Sequence, residues 1–161
     1  MKATILFILG TVVLVGLLSW GYNAKTSSDD KKLEAMTSRE VAIDRCTTDM
    51  ATKFHIHPHM KIFINGSESA IPAEIGITET CMHSIHTHDA TGTIHVESPV
   101  QKDFTVGDFF AVWGKDFSKN SILGNIAGSG KSVKFSVNGA TNDQFENYVM
   151  HDKDEIEIRY E

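Results

Sequence analysis

Eight histidines punctuate this chain of 161 residues, and seven of them lie between His55 and His95. Their spacing is the first indication of chemistry. SIHTHDATGTIHVES reads as a β-hairpin whose turn is Asp89-Ala90-Thr91-Gly92, with β-favouring residues on both sides. Strand side chains alternate between faces, so His86 and His88 point the same way. With that turn, His88 pairs with Thr93 and His86 with His95, at Cβ separations of about 5 Å, and His88 lies diagonal to His95 at roughly 7 Å. Three neutral imidazoles on one face can converge on a single ion through bonds of about 2.0–2.1 Å. Three nitrogen donors with a fourth position open suit zinc carrying a water, or Cu(II). An isolated histidine is usually structural or solvated. Three gathered on one face without an ion carry desolvation and unmet hydrogen bonds, so metal binding by His86, His88 and His95 is the expectation.

The surrounding residues extend this reading. Glu97 falls on the same face, opposite Ser84, and with Asp89 is a candidate to orient a ligand histidine through its other ring nitrogen. His55, His57 and His59 form an H-x-H-x-H run that Pro58 makes irregular or edge-like. The run can add a ligand to the same ion, form a second site, or be a pH-sensitive surface strip. His57 and His59 are favoured over His55 because they immediately precede the KIFI strand. His83 has the wrong parity for the 86/88 face, and nothing local marks His151. Thioethers favour copper, but Met82 alone has suitable parity, and methionines more often fill cores. G-x-S-x-G, P-loop, G-x-G-x-x-G and H-E-x-x-H patterns are absent, which removes support for nucleophilic-serine, nucleotide and zincin chemistry.

The elements that must position these side chains are also readable. Asn65-Gly66 between KIFI and SESAI marks a hairpin with a type I′ turn. Ser38 is the expected N-cap of a helix from Arg39 to about Lys53. Thr105 is the expected N-cap of a second helix, rich in Phe109, Phe110 and Trp113, which Gly114 ends. GNIAGSGKS reads as a loop, followed by strands over VKFSVNG and DEIEIRY. This order predicts an α+β fold with a mainly antiparallel sheet and one packed helix, β-grasp-like in arrangement. A small closed barrel or jelly-roll-like sheet is the alternative.

Residues 3–22 contain no charge and are long enough, at about 20 residues, to span a bilayer. A signal-anchor over 1–24 is favoured over a cleaved peptide, because cleavage after Ala24 would put bulky Tyr22 at the −3 position. Residues 25–37 read as a polar spacer and 38–161 as an extracytoplasmic domain. Export agrees with the only two cysteines, Cys46 and Cys81, forming a disulfide, the alternative being two buried thiols. The net charge of −6 and pI of about 5.7 argue against a nucleic-acid partner.

The stretch FHIHPHMKIFING…IPAEIGI…CMHSIHTHDATGTIHVESP…FTVGDFFAVWG, residues 54–114, resembles a family of small membrane-anchored, histidine-rich extracytoplasmic proteins seen in archaea, ammonia oxidisers among them, and in some bacteria. The resemblance implies a tethered protein with a metal site at His86, His88 and His95, and it implies no reaction. Three function classes then fit. The first is a copper or zinc carrier, buffer or accessory to a membrane metalloenzyme. The second is a zinc enzyme that activates water as a carbonic-anhydrase-like three-histidine site does, with Phe109, Phe110 and Trp113 as its apolar wall. The third is a structural subunit that docks another membrane or cell-surface protein through the Phe/Trp helix.

Overall fold

The computed structural model describes residues 31–47 and 52–161. The apolar segment and the start of the spacer lie outside the described residues; the spacer's later part is helical over 31–35. Among the described residues, no helix is long and apolar enough to cross a membrane. Thr37–Glu161 is one compact unit, and it carries all the elements below.

The unit opens with α1 (Ser38–Asp44), then β1 (Cys46–Thr47), β2 (Phe54–Ile56), β3 (His59–Ile64) and β4 (Ser67–Ser69). Next come β5 (Met82–His83), β6 (Ile85–His86), β7 (His95–Ser98) and α2 (Val106–Trp113). A meander of β8 (Phe117–Ser118), β9 (Ser121–Ile122) and β10 (Asn125–Ile126) precedes β11 (Val133–Val137), β12 (Ala140–Thr141), a 3-10 turn at Phe145–Asn147 and β13 (Glu155–Tyr160). The fold is α+β, as the pattern predicts. The strands are divided among four sheets, ordered β12-β11-β13-β3-β4, β2-β7-β6, β10-β9-β8 and β1-β5. All described pairs are antiparallel except β13 with β3, which run parallel.

Two Asn-Gly turns shape the five-stranded sheet. Asn65 and Gly66 have φ of 53° and 84°, and Asn138 and Gly139 have 53° and 79°, the positive pair that a type I′ hairpin needs. Alternation then decides the faces. Met60 and Ile62 of β3 and Ile156 and Ile158 of β13 are buried, and the parallel register sets Ile156 beside Met60 and Ile158 beside Ile62.

Helix α2 begins and ends where its caps predict. Thr105 and Asp108 form a reciprocal capping box, and Gly114, at φ 69°, closes the helix. Phe109 and Phe110 are buried, each such side chain contributing about 1.5–3 kcal/mol. The Phe110 ring stacks on Phe117 at 4.8 Å, and Phe117 reaches Phe135 of β11 at 5.8 Å, so the helix is tied into the core.

Two predicted elements need correction. The first helix starts one residue earlier: Glu40 N–H donates to Thr37 Oγ1 at 3.2 Å, while Thr37 N–H donates to the Glu40 carboxylate at 2.7 Å. It also ends at Asp44 rather than near Lys53, because Arg45 is extended and β1 pairs with β5. A disulfide joins Cys46 to Cys81 there, with Cα atoms 5.4 Å apart. The second correction is the Gly/Ser loop after α2. Its second and third residues, Asn125 and Ile126, form β10, held antiparallel to β9.

Candidate metal centre

The three-stranded sheet carries three of the eight histidines, His55, His86 and His95. Pairing β2-β7-β6 lines up Ile56, Val96 and Ile85 in one cross-strand row, all buried. The pleat sends the adjacent rows to the other face: His55 opposite Glu97 and His86 opposite His95. The His86–His95 pairing is the one strand parity predicts. Thr87, between His86 and His88, turns inward and is buried; its hydroxyl donates to Pro72 O at 2.8 Å and accepts from Ile75 N–H at 3.1 Å. Holding Thr87 inward leaves the two flanking imidazoles on a common side.

The predicted pairing of His88 with Thr93 is replaced by another. Thr93 pairs with His59, Ile94 N–H donates to Pro58 O at 2.9 Å, and Met60 N–H donates to Gly92 O at 2.9 Å. The connection thus leaves its own hairpin and seals onto the start of β3. Gly92 sits at that junction with φ 92°, and a Cβ there would collide with the Met60 carbonyl oxygen.

His86, His88 and His95 each offer a ligand atom, and these atoms lie within 4.8 Å of one another. His86 Nδ1 sits 2.9 Å from His83 O, so it carries the ring proton and donates it. That leaves the lone pair on Nε2, which is 3.2 Å from His88 Nε2. Two donors of one tetrahedral ion at zinc–nitrogen bond lengths stand about 3.3 Å apart. The His86 and His95 rings stack at 5.4 Å with planes 13° apart, and the His88 ring meets His95 edge-on at 4.6 Å.

His55, His57 and His95 make a second group within the same distance limit, so His95 belongs to both. Its Nδ1 is buried without a hydrogen-bond partner among the described residues. The nearest carboxylate, Glu97 Oε1, stands 3.5 Å away and is also 3.0 Å from His55 Nε2. Glu97 is therefore beside His55 and His95.

For His86 and His95 the electrostatics favour the uncharged ring. Burial pushes the His86 pKa below its ordinary value, more than the His83 carbonyl and Glu97 raise it. His95 is also lowered, first by burial and then by the neighbouring His88 and His57. Neutral imidazole is the form that binds a cation.

Other predicted residues are placed elsewhere. His59 is turned away: its Nδ1 meets Glu155 Oε2 at 3.0 Å and its Nε2 meets Thr91 O at 2.8 Å, so both ring nitrogens have protein partners. Of the H-x-H-x-H run, His55 and His57 join His95, whereas the sequence reading favoured His57 and His59. The reason is sheet membership, since Pro58 separates β2, paired with β7, from β3, paired with β13. Asp89 is exposed and takes Thr91 N–H at 2.9 Å and the Thr91 hydroxyl at 2.6 Å, which holds the turn and keeps its carboxyl below the usual range. His83 Nδ1 is 3.2 Å from Ala42 O, and His151 lies against Tyr148 and Asp154. Met82 stands opposite Thr47 in the β1-β5 pair, while Met60 and Met150 are buried in the core.

One residue escaped the sequence reading. Asp152 Oδ1 accepts the His57 main-chain N–H at 2.9 Å and lies 3.8 Å from His57 Nδ1. It is 95 positions away in sequence, and no local pattern marks it. No protein-family model, curated protein or solved structure matches the chain. The geometry defines a class all the same, a small α+β domain with three-histidine groups able to hold a metal ion.

Proposed function

We propose that this protein binds a transition-metal ion, copper or zinc, through His86, His88 and His95, and presents it on the extracytoplasmic side of a membrane to which its N-terminal apolar segment anchors it. In this reading the domain is a metal carrier, or an accessory that hands the ion to a membrane metalloenzyme. The carrying observation is His86, buried and committed by its Nδ1–H to His83 O, so that its Nε2 lone pair faces His88 Nε2 at 3.2 Å. The Cys46–Cys81 disulfide supports an oxidising compartment. A β-grasp-like description of the domain is supported by the strand order β12-β11-β13-β3-β4, with the parallel pair β13/β3 at its centre and α2 between the two hairpins.

Carrier chemistry is favoured over the alternatives by where the aromatic residues lie. Of Phe109, Phe110 and Trp113, the expected apolar wall of an enzyme or docking face of a structural subunit, the two phenylalanines are inside the core and Trp113 is half-buried. A cavity of about 240 Å³ is lined by Met60, Ile71, Thr91 and Gly92 among others, and one of about 480 Å³ by Trp113, Asp116 and Leu123 among others; neither is lined by a clustered histidine. His88 is exposed, which suits an ion that must be exchanged.

The test is elemental analysis of the untagged full chain after export through an oxidising compartment, beside a His86→Ala/His88→Ala/His95→Ala variant. At least one equivalent of zinc or copper in the wild type, lost in the variant, is the expected result. His88→Ala alone, at an exposed position, separates ligand loss from misfolding and should lower affinity by at least about tenfold. No metal in the wild type after reconstitution with either ion would overturn the proposal.

A further inference from the structure

His95 belongs to both three-histidine groups, and its buried Nδ1 has no hydrogen-bond partner among the described residues. An imidazole has two nitrogens on different edges of its ring, and this one lies near the Glu97 carboxylate at 3.5 Å. On the same side stand His55, whose Nε2 is 3.0 Å from that carboxylate oxygen, and His57, whose ring centroid is 4.7 Å from that of His95. The His55 and His57 rings are themselves 4.5 Å apart. These three residues offer ligand atoms within 4.8 Å of one another.

We propose that His55, His57 and His95 form a second cation position for a divalent transition metal, joined to the first by the shared imidazole of His95. The proposal rests on the first position being a metal site and extends it to a pair. Charge and anchoring favour it. Glu97 beside His55 and His95, and Asp152 beside His57, supply negative charge for a second divalent ion. The His57 backbone is fixed by its N–H donating to Asp152, and the His55 backbone by the β2-β7 ladder. The His55 and His57 side chains are 46% and 42% exposed, and His88 of the first position is exposed as well, so incoming ions can reach both positions.

Sharing has a chemical consequence. A neutral imidazole holds one lone pair and one N–H, so filling both positions releases the remaining His95 ring proton to solvent. One N–H bond breaks, one metal–nitrogen bond forms, and neither ion changes oxidation state.

The experiment is a competition titration of the full chain with Zn(II), repeated with Cu(II) and electron paramagnetic resonance. The wild type should take up two equivalents, and His55→Ala/His57→Ala should retain one, its affinity for a second falling at least about 100-fold. His55 is exposed and His57 half-buried, and an unchanged melting curve of the metal-free variant checks that it folds. The doubly loaded copper form should give a weaker resonance signal than two isolated ions, because the bridging ring couples their spins. Saturation at one equivalent, or two equivalents surviving in the double variant, overturns the second position. Two ions with full signal intensity overturn the sharing of His95. If the single wild-type equivalent is lost in His88→Ala, the first position stands alone; if nothing binds, both proposals fall.

Discussion

The five-stranded and three-stranded sheets each hold a histidine on a strand from the same dense region, and they treat it in opposite ways. In the five-stranded sheet His59 spends both ring nitrogens on protein oxygens, Glu155 Oε2 and Thr91 O. In the three-stranded sheet His95 is packed among His57, His86 and His88 with a buried Nδ1 that has no hydrogen-bond partner among the described residues. A histidine with both nitrogens committed stabilises its surroundings. One with a nitrogen left over, among others like it, is prepared for something the chain does not itself supply. Residue type and density are alike in the two places, so the difference lies in the neighbours that each sheet provides.

The largest way to break this contrast is to loosen the support of the histidine-bearing sheet. The disulfide pins β1 beside β5, five residues before His86, and closes a loop of sequence separation 35, worth about 3–4 kcal/mol by chain entropy. Cys46→Ser/Cys81→Ser should lose about that much stability in chemical denaturation. A loss below about 1 kcal/mol would mean that the cross-link does not support the fold.

A smaller effect is expected at the junction of the two sheets. Gly92→Ala forces a Cβ against the Met60 carbonyl and a side chain into positive φ, which should cost about 2 kcal/mol. Unchanged stability would show that the 87–94 connection is not sealed onto β3.

His59→Ala sharpens the contrast most directly. It should destabilise the domain by about 1 kcal/mol through lost hydrogen bonds and leave metal stoichiometry unaltered. Loss of metal in that variant would erase the distinction between the two sheets.

The mildest probe is pH. Burial lowers the pKa of His86 and His95 in the folded state, so the unfolded chain binds more protons just below the ordinary histidine value of about 6.5. Stability from these groups is therefore fully present above about pH 6.5 and declines as pH falls toward their lowered folded values. Denaturation of the metal-free protein at pH 7.5 and 5.5 should show this slope, and replacing both residues by Gln should reduce it.

Much of the architecture was legible where it depends on neighbours in sequence. Asn65-Gly66 and the caps Thr105 and Gly114 act within a few residues, and strand parity alone pairs His86 with His95. The first helix was read too long because apolar spacing at Cys46 resembles a helical face, while the competing influence is the distant partner strand β5. The parallel pairing of β13 with β3 joins segments about a hundred residues apart, beyond any local pattern. That pairing also takes His59 out of the cluster, while β7 brings His55 in. Asp152 reaches His57 by the same long-range closure. Whether each histidine is spent or spare was therefore settled by tertiary contacts, even though its presence on a strand was readable.

The most direct test of the metal assignment is anomalous diffraction from crystals of the zinc-loaded full chain. An anomalous peak is expected at about 2.0–2.1 Å from an imidazole nitrogen of each of His86, His88 and His95, with His86 Nδ1 still bonded to His83 O. A peak at His59, His151 or surface carboxylates alone, with the three imidazoles bare, would contradict it.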